Sequence, residues 1–79
     1  MKYREASRGL RALGCIEIPR RAPGSHRKWH NPATGRISTL PDHGSADLKL
    51  GTLRAAVSQL GIDWDRFLAG TRPGQTVQI

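Results

Sequence analysis

His26-Arg27-Lys28-Trp29-His30-Asn31, then Pro32-Ala33-Thr34-Gly35, then Arg36-Ile37-Ser38-Thr39-Leu40 reads as two antiparallel strands. Asn31 to Gly35 forms the hairpin loop, and Pro41 ends the second strand. Side chains alternate along a strand, so His26 and Trp29, three apart, point to opposite faces. Trp29 is the core residue of its strand. His26, Lys28 and His30 then share the other face.

Upstream, Cys15 to Arg20 alternates, with Ile16 and Ile18 on one side and Glu17 on the other. It reads as a short third strand, and Pro19 suits an edge or a strand end. Arg21-Ala22-Pro23-Gly24 is a turn. From Lys2 to Leu13, Tyr3, Ala6, Leu10 and Leu13 step by three, four and three, one stripe of a helix, with Arg4, Arg8 and Arg11 beside it. Gly14 is a suitable stop. Gly9 weakens this helix by about 1 kcal/mol relative to Ala, so packing must hold it.

Downstream of Pro41, residues 42–48 read as a loop. From Gly51, Leu53, Ala56, Val57 and Leu60 lie at i, i+3, i+4 and i+7, and Gly61 stops that helix. Asp63 caps a final short turn carrying Trp64, Phe67 and Leu68. The expectation is an α+β domain of helix, three antiparallel strands and helix. Both helices bury their apolar stripes on one face of the sheet and leave the other bare. Residues 1–69 form that single domain, and residues 70–79 are a loose tail.

The chain has 79 residues, with Leu, Ile, Val and Phe at 16 positions. So small a core excludes a deep enclosed cavity, and any chemistry must sit on an open face or shallow groove. No apolar run approaches the ~20 residues of a membrane span, and Met1-Lys2-Tyr3-Arg4-Glu5 does not resemble a signal peptide. A single cysteine, Cys15, excludes an internal disulfide framework and suits a reducing cytoplasm.

The net charge of +7 is unevenly placed. Residues 1–41 hold nine basic groups against Glu5 and Glu17, whereas residues 42–79 hold four against four. Ten of the thirteen basic residues are Arg, whose planar fork grips phosphate in two places. Such a half-chain suits a polyanionic partner, nucleic acid before membrane, because no segment joins this charge to a broad apolar helical face. Arg20, Arg21, Arg27, Lys28, His30 and Arg36 are the candidates for contacting RNA.

An imidazole is the side chain best matched to proton transfer near neutral pH. Beside a phosphodiester, His26 could take the proton of a ribose 2′-hydroxyl or give one to the leaving oxygen. Lys28, Arg27 and Arg36 could hold the phosphate. Gly24-Ser25 allows close backbone approach, which makes Ser25 an accessory candidate. The bland alternative is that an exposed histidine is an ordinary surface residue. His26, His30, His43 and Cys15 lack the paired close spacing of structural zinc sites, so no metal or cofactor is expected. Cys15 reads as a small buried hydrophobe rather than a nucleophile.

Gly24-Ser25-His26-Arg27-Lys28-Trp29, Pro41-Asp42-His43, Asp47-Leu48-Lys49-Leu50-Gly51-Thr52-Leu53-Arg54 and Gln59-Leu60-Gly61-Ile62, taken in order, resemble the HicA (YcfA-like) mRNA interferase toxins of type II toxin–antitoxin systems. The resemblance spans about residues 3–68. It implies a fold like the double-stranded-RNA-binding domain and a ribosome-independent, metal-independent endoribonuclease. It also implies a HicB-like antitoxin that covers the active face. The family's catalytic histidine falls on His26, and its second histidine on His43, an accessory candidate. Cys15 stands where the family has a large aromatic, and Gly14 to Gly24 is longer than usual.

The expected function is therefore a cytoplasmic toxin that cleaves mRNA with His26 as general acid or base. Lys28, His30, His43 and solvent all remain open as the second proton-transfer group. The alternatives are a non-catalytic RNA-binding module of the same fold and a basic adaptor for another protein.

Overall fold

The computed structural model describes residues 1–19 and 26–72. Its elements run α1 (Tyr3–Ala12), β1 (Ile16–Ile18), β2 (His26–Asn31), β3 (Arg36–Pro41), α2 (Leu50–Gln59) and α3 (Trp64–Thr71). The strands form one antiparallel sheet in the order β1-β2-β3, so the domain is α+β, as expected. The expected turn Arg21–Gly24 and most of the expected tail lie outside the described residues.

Two helices end where glycine permits a left-handed residue. At α1, Gly14 has φ +87°, its amide donates to the carbonyl of Arg11, and the Cys15 amide reaches back to Leu10. At α2, Gly61 has φ +76°, its amide donates to Ser58, and Ile62 reaches Val57. Each pair satisfies helix-end carbonyls that have no partner within the helix. The stripes are buried as their spacing predicts. Tyr3, Ala6 and Leu10 of α1, Leu53, Ala56 and Val57 of α2, and the capping Leu60 all lie in the core.

Two expectations need correction. The first strand is shorter than Cys15–Arg20, because Cys15 turns into the core at the end of α1 and pairing with β2 covers Ile16 to Ile18. The segment after Gly61 is a full helix rather than one short turn. Asp63 caps it by accepting the Arg66 amide at 3.2 Å, and it runs past residue 69 to Thr71.

What holds α3 is its crossing of α1. A Cβ placed on Gly9 would lie 2.5 Å from Thr71 Cγ2 and 2.9 Å from the buried ring of Phe67. A Cβ placed on Gly70 would in turn lie 3.1 Å from the Gly9 carbonyl oxygen. Arg8 also donates to the Thr71 carbonyl at 3.2 Å. Gly9→Ala would gain about 1 kcal/mol of helix propensity but force an overpacked contact that costs about 1–3 kcal/mol. Net destabilisation of the order of 1 kcal/mol is expected, a drop in Tm of about 4–8 °C. Gly51→Ala, with nothing within 4 Å of the new methyl, should instead hold or slightly raise Tm. Thermal melts that rise in both variants would contradict the close crossing.

The odd-numbered residues of β2 face the core. Trp29 is fully buried and its Nε1 donates to the Tyr3 hydroxyl at 3.1 Å. Buried Asn31 donates to the Leu60 carbonyl at 2.8 Å, and Thr34 donates to the same oxygen at 3.0 Å. The hairpin is thereby clipped to the end of α2. Glu17, opposite Trp29 in β1, is on the same side. It accepts from the Tyr3 hydroxyl at 3.0 Å and from Arg27 at 2.8 Å.

Burial, together with the neighbouring Glu17 carboxylate, pushes the Tyr3 hydroxyl up to about 12, although the Trp29 donor acts the other way. A phenol ordinarily titrates near 10. Because the folded value is raised, the contribution is fully present below pH ~10 and is lost as pH rises toward about 12. Over that window the folded state should lose of the order of 2 kcal/mol through Tyr3. Urea unfolding of the wild type and of Tyr3→Phe across pH 9 to 12 tests this. Parallel pH curves for the two proteins would exclude the mechanism.

Candidate active site on the open sheet face

The even-numbered side of β2 presents His26 and Lys28, both exposed, and His30, partly exposed. Across the ladders, His30 lies between Ile16 and Ile37, Lys28 between Ile18 and Thr39, and His26 beside Pro41. Ile16 and Ile37 are 55% and 49% exposed. This face therefore mixes imidazole and ammonium groups with bare aliphatic side chains. The alternation in β1 is the reverse of a hydrophobic-in pattern. Its isoleucines lie on the open side, and Glu17 turns inward because Tyr3, Arg11 and Arg27 supply its partners.

At the start of β2, His26 opens into a groove of about 380 Å³. The loop after β3 and the beginning of α2 contribute the rest of its lining. His43, Asp47, Lys49 and Thr52 line it together with Thr39 of β3. The structure thus brings together His26 and His43, 17 residues apart in sequence. It adds Lys49 and Thr52, which composition and spacing did not single out. Their only sequence signal is the run Asp47 to Arg54.

The other sequence candidates divide. Lys28 and His30 share the open face with His26. Arg27 does not. One arm of its guanidinium meets Glu17 at 2.8 Å and the other Asp42 at 3.0 Å. The same group lies over the Tyr3 ring at 5.7 Å. The Glu17 hydrogen bond raises its pKa further, against a smaller effect of burial. Both arms of Arg27 are thus held by carboxylates, and the same cation links β1, β2 and the residue that follows β3. Arg36 is exposed, but it shares the alternation of buried Ser38 and Leu40 and pairs with Asn31 at the far end of the ladder from His26. Arg20, Arg21 and Ser25 lie outside the described residues. Cys15 is buried and its thiol is pushed up by desolvation, which fits a core role.

A small α+β domain with exposed histidines and basic residues on one sheet face is the class that fold and site define. The family described as the HicA toxin of bacterial toxin–antitoxin systems matches residues 3–62. The chain belongs to that family, and so is a toxin whose system includes an antitoxin partner. No curated protein and no solved structure matches it. The matched span ends just before α3. Among the described residues no helix is long and apolar enough to cross a membrane.

Proposed function

We propose that this toxin is a metal-independent endoribonuclease that cleaves mRNA in the cytoplasm, with His26 as general acid or base. The observation that supports this most is the exposed His26 imidazole at the mouth of a groove that also holds Lys49. The reaction is in-line attack of a ribose 2′-hydroxyl on the adjacent phosphorus. The RNA supplies its own nucleophile, so proton transfer and charge stabilisation are the enzyme's tasks. Lys28 and His30 continue the interface along the sheet, where they meet the backbone phosphates. Arg20 and Arg21, with Ser25, precede β2 in sequence and extend the basic run toward it.

The antitoxin is proposed to be HicB-like and to dock over the same face. Half-exposed Ile16 and Ile37 offer it the apolar contact that a phosphate backbone cannot use.

The test is cleavage of a long mRNA by wild type and His26→Ala, each with excess chelator. Wild-type cleavage that survives the chelator and disappears in the variant is the expected result. Loss of wild-type activity with chelator would end the metal-free reading. Salt-sensitive binding without cleavage in either protein would leave an RNA-binding module, and no salt-sensitive RNA affinity at all would leave a protein adaptor.

A further inference from the structure

We propose that His43 is the second proton-transfer group, so that one groove carries out cleavage with two imidazoles. This rests on the reading of His26 given above. Three observations point to it.

His43 and His26 line the same groove from different elements, with Lys49 and Thr52 at the start of α2 completing the wall. His30 and Lys28 do not line this groove. They lie four and two residues along β2, roughly 14 and 7 Å from His26 at the rise of a strand, on the open sheet rather than in the groove.

The two histidines are also tied together from beneath. The chain neighbour of His26 is Arg27, and the chain neighbour of His43 is Asp42. These neighbours form the 3.0 Å ion pair, while the other arm of Arg27 is anchored on Glu17 of β1. His26 is moreover in register with Pro41, two residues before His43.

Asp42 does a second thing. Its Oδ1 accepts the Gly44 amide at 3.1 Å, and the Ala46 amide donates to the His43 carbonyl at 3.3 Å. These bonds turn the chain at His43, and Asp42 links that turn to the base of β2. A surface histidine with no role has no need of such a mount.

The chemistry requires two sites of proton transfer. One imidazole takes the 2′-hydroxyl proton as the O2′–P bond forms. The other, as imidazolium, gives a proton to O5′ as the P–O5′ bond breaks. The products are a 2′,3′-cyclic phosphate and a 5′-hydroxyl. No oxidant or co-reactant is consumed, and exchange with water resets both rings. The Lys49 ammonium offers charge to the non-bridging oxygens.

The experiment uses the full chain and an RNA oligonucleotide taken from a mapped cleavage site, made with either oxygen or sulfur at the 5′ bridging position. A sulfur leaving group departs without a proton. His43 is exposed, so His43→Ala should melt like wild type. It should cleave the oxygen substrate about 10²–10⁴-fold more slowly. Whichever of His26→Ala and His43→Ala lacks the acid should recover on the sulfur substrate, and the other should not.

Recovery of one variant alone supports the pair and assigns acid and base. Recovery of neither overturns the division of labour. His43→Ala cleaving as fast as wild type while His26→Ala is inactive overturns this inference and leaves His26 standing. Undiminished cleavage by His26→Ala overturns the underlying reading instead.

Discussion

His26→Ala is expected to lower the rate of RNA cleavage by about 10²–10⁴-fold, the usual worth of a positioned general acid or base. That corresponds to roughly 2.7–5.5 kcal/mol of barrier at 1.36 kcal/mol per factor of ten. The ring is exposed, and among the described residues none of the side-chain hydrogen bonds that hold the sheet comes from it. The variant should therefore keep its Tm within about 2–4 °C of wild type, as surface substitutions usually do. RNA affinity should persist, because Lys28, Lys49 and the arginines are untouched. The salt dependence of binding, about −0.7 per phosphate neutralised on a single strand, should change little. The discriminating measurement is a single-turnover rate beside a binding curve at two salt concentrations. A variant that loses affinity in proportion to its rate would make His26 a phosphate contact rather than a proton carrier.

Neighbours in sequence have opposite fates here, and the reason bears on what could be read in advance. Alternation along β2 separates His26 from Trp29 with no knowledge of the rest of the chain, so the face bearing His26 was legible. Alternation alone did not say that Arg27 would find carboxylates. Glu17 is ten residues upstream on the adjacent strand, and Asp42 is fifteen downstream beyond β3. Charge composition counts Arg27 as one more cation, and only the assembled strands show its two arms on carboxylates. The same register explains β1. A pattern of Ile16-Glu17-Ile18 suggests isoleucines inward, yet the polar cluster of Tyr3, Arg27 and Arg11 makes the inward position suitable for a carboxylate.

The helices divide along the same line between local and distant causes. The stripe and terminal glycine of α2 are local, and its core positions are as its spacing predicts. Helix α3 has only eight residues, two of them Gly70 and Thr71, which are poor helix formers. Its stability comes from Gly9, more than fifty positions earlier, and no window around Trp64 contains that information. The groove is distant in the same sense. His43 and Lys49 flank a loop whose path is set by a bridge between Lys2 and Asp47 and by the Asp42–Arg27 pair. Motif resemblance could name His43, but contact between elements was needed to place it in one groove with His26.

Trp29→Ala should produce the largest loss of stability of any single truncation in the domain, about 3–5 kcal/mol. A chain of this size has of the order of 4–12 kcal/mol in total. Trp29 is fully buried at the centre of the sheet, opposite Glu17 and Ser38. Its loss opens a cavity, removes the donor to Tyr3 Oη, and takes away the ring over which the Arg11 guanidinium sits at 5.1 Å. Trp29→Phe keeps most of the volume and loses mainly the N–H, so about 1–2 kcal/mol is expected. Urea midpoints with unchanged m-values are the measurement. A loss under 1 kcal/mol for the alanine variant would mean that the indole does not organise the core. The indole also fixes the register of β2, since a slip by one residue would turn His26 inward and Arg27 out. Trp29→Ala should accordingly lose cleavage in step with its folded fraction, whereas His26→Ala loses cleavage with the fold intact.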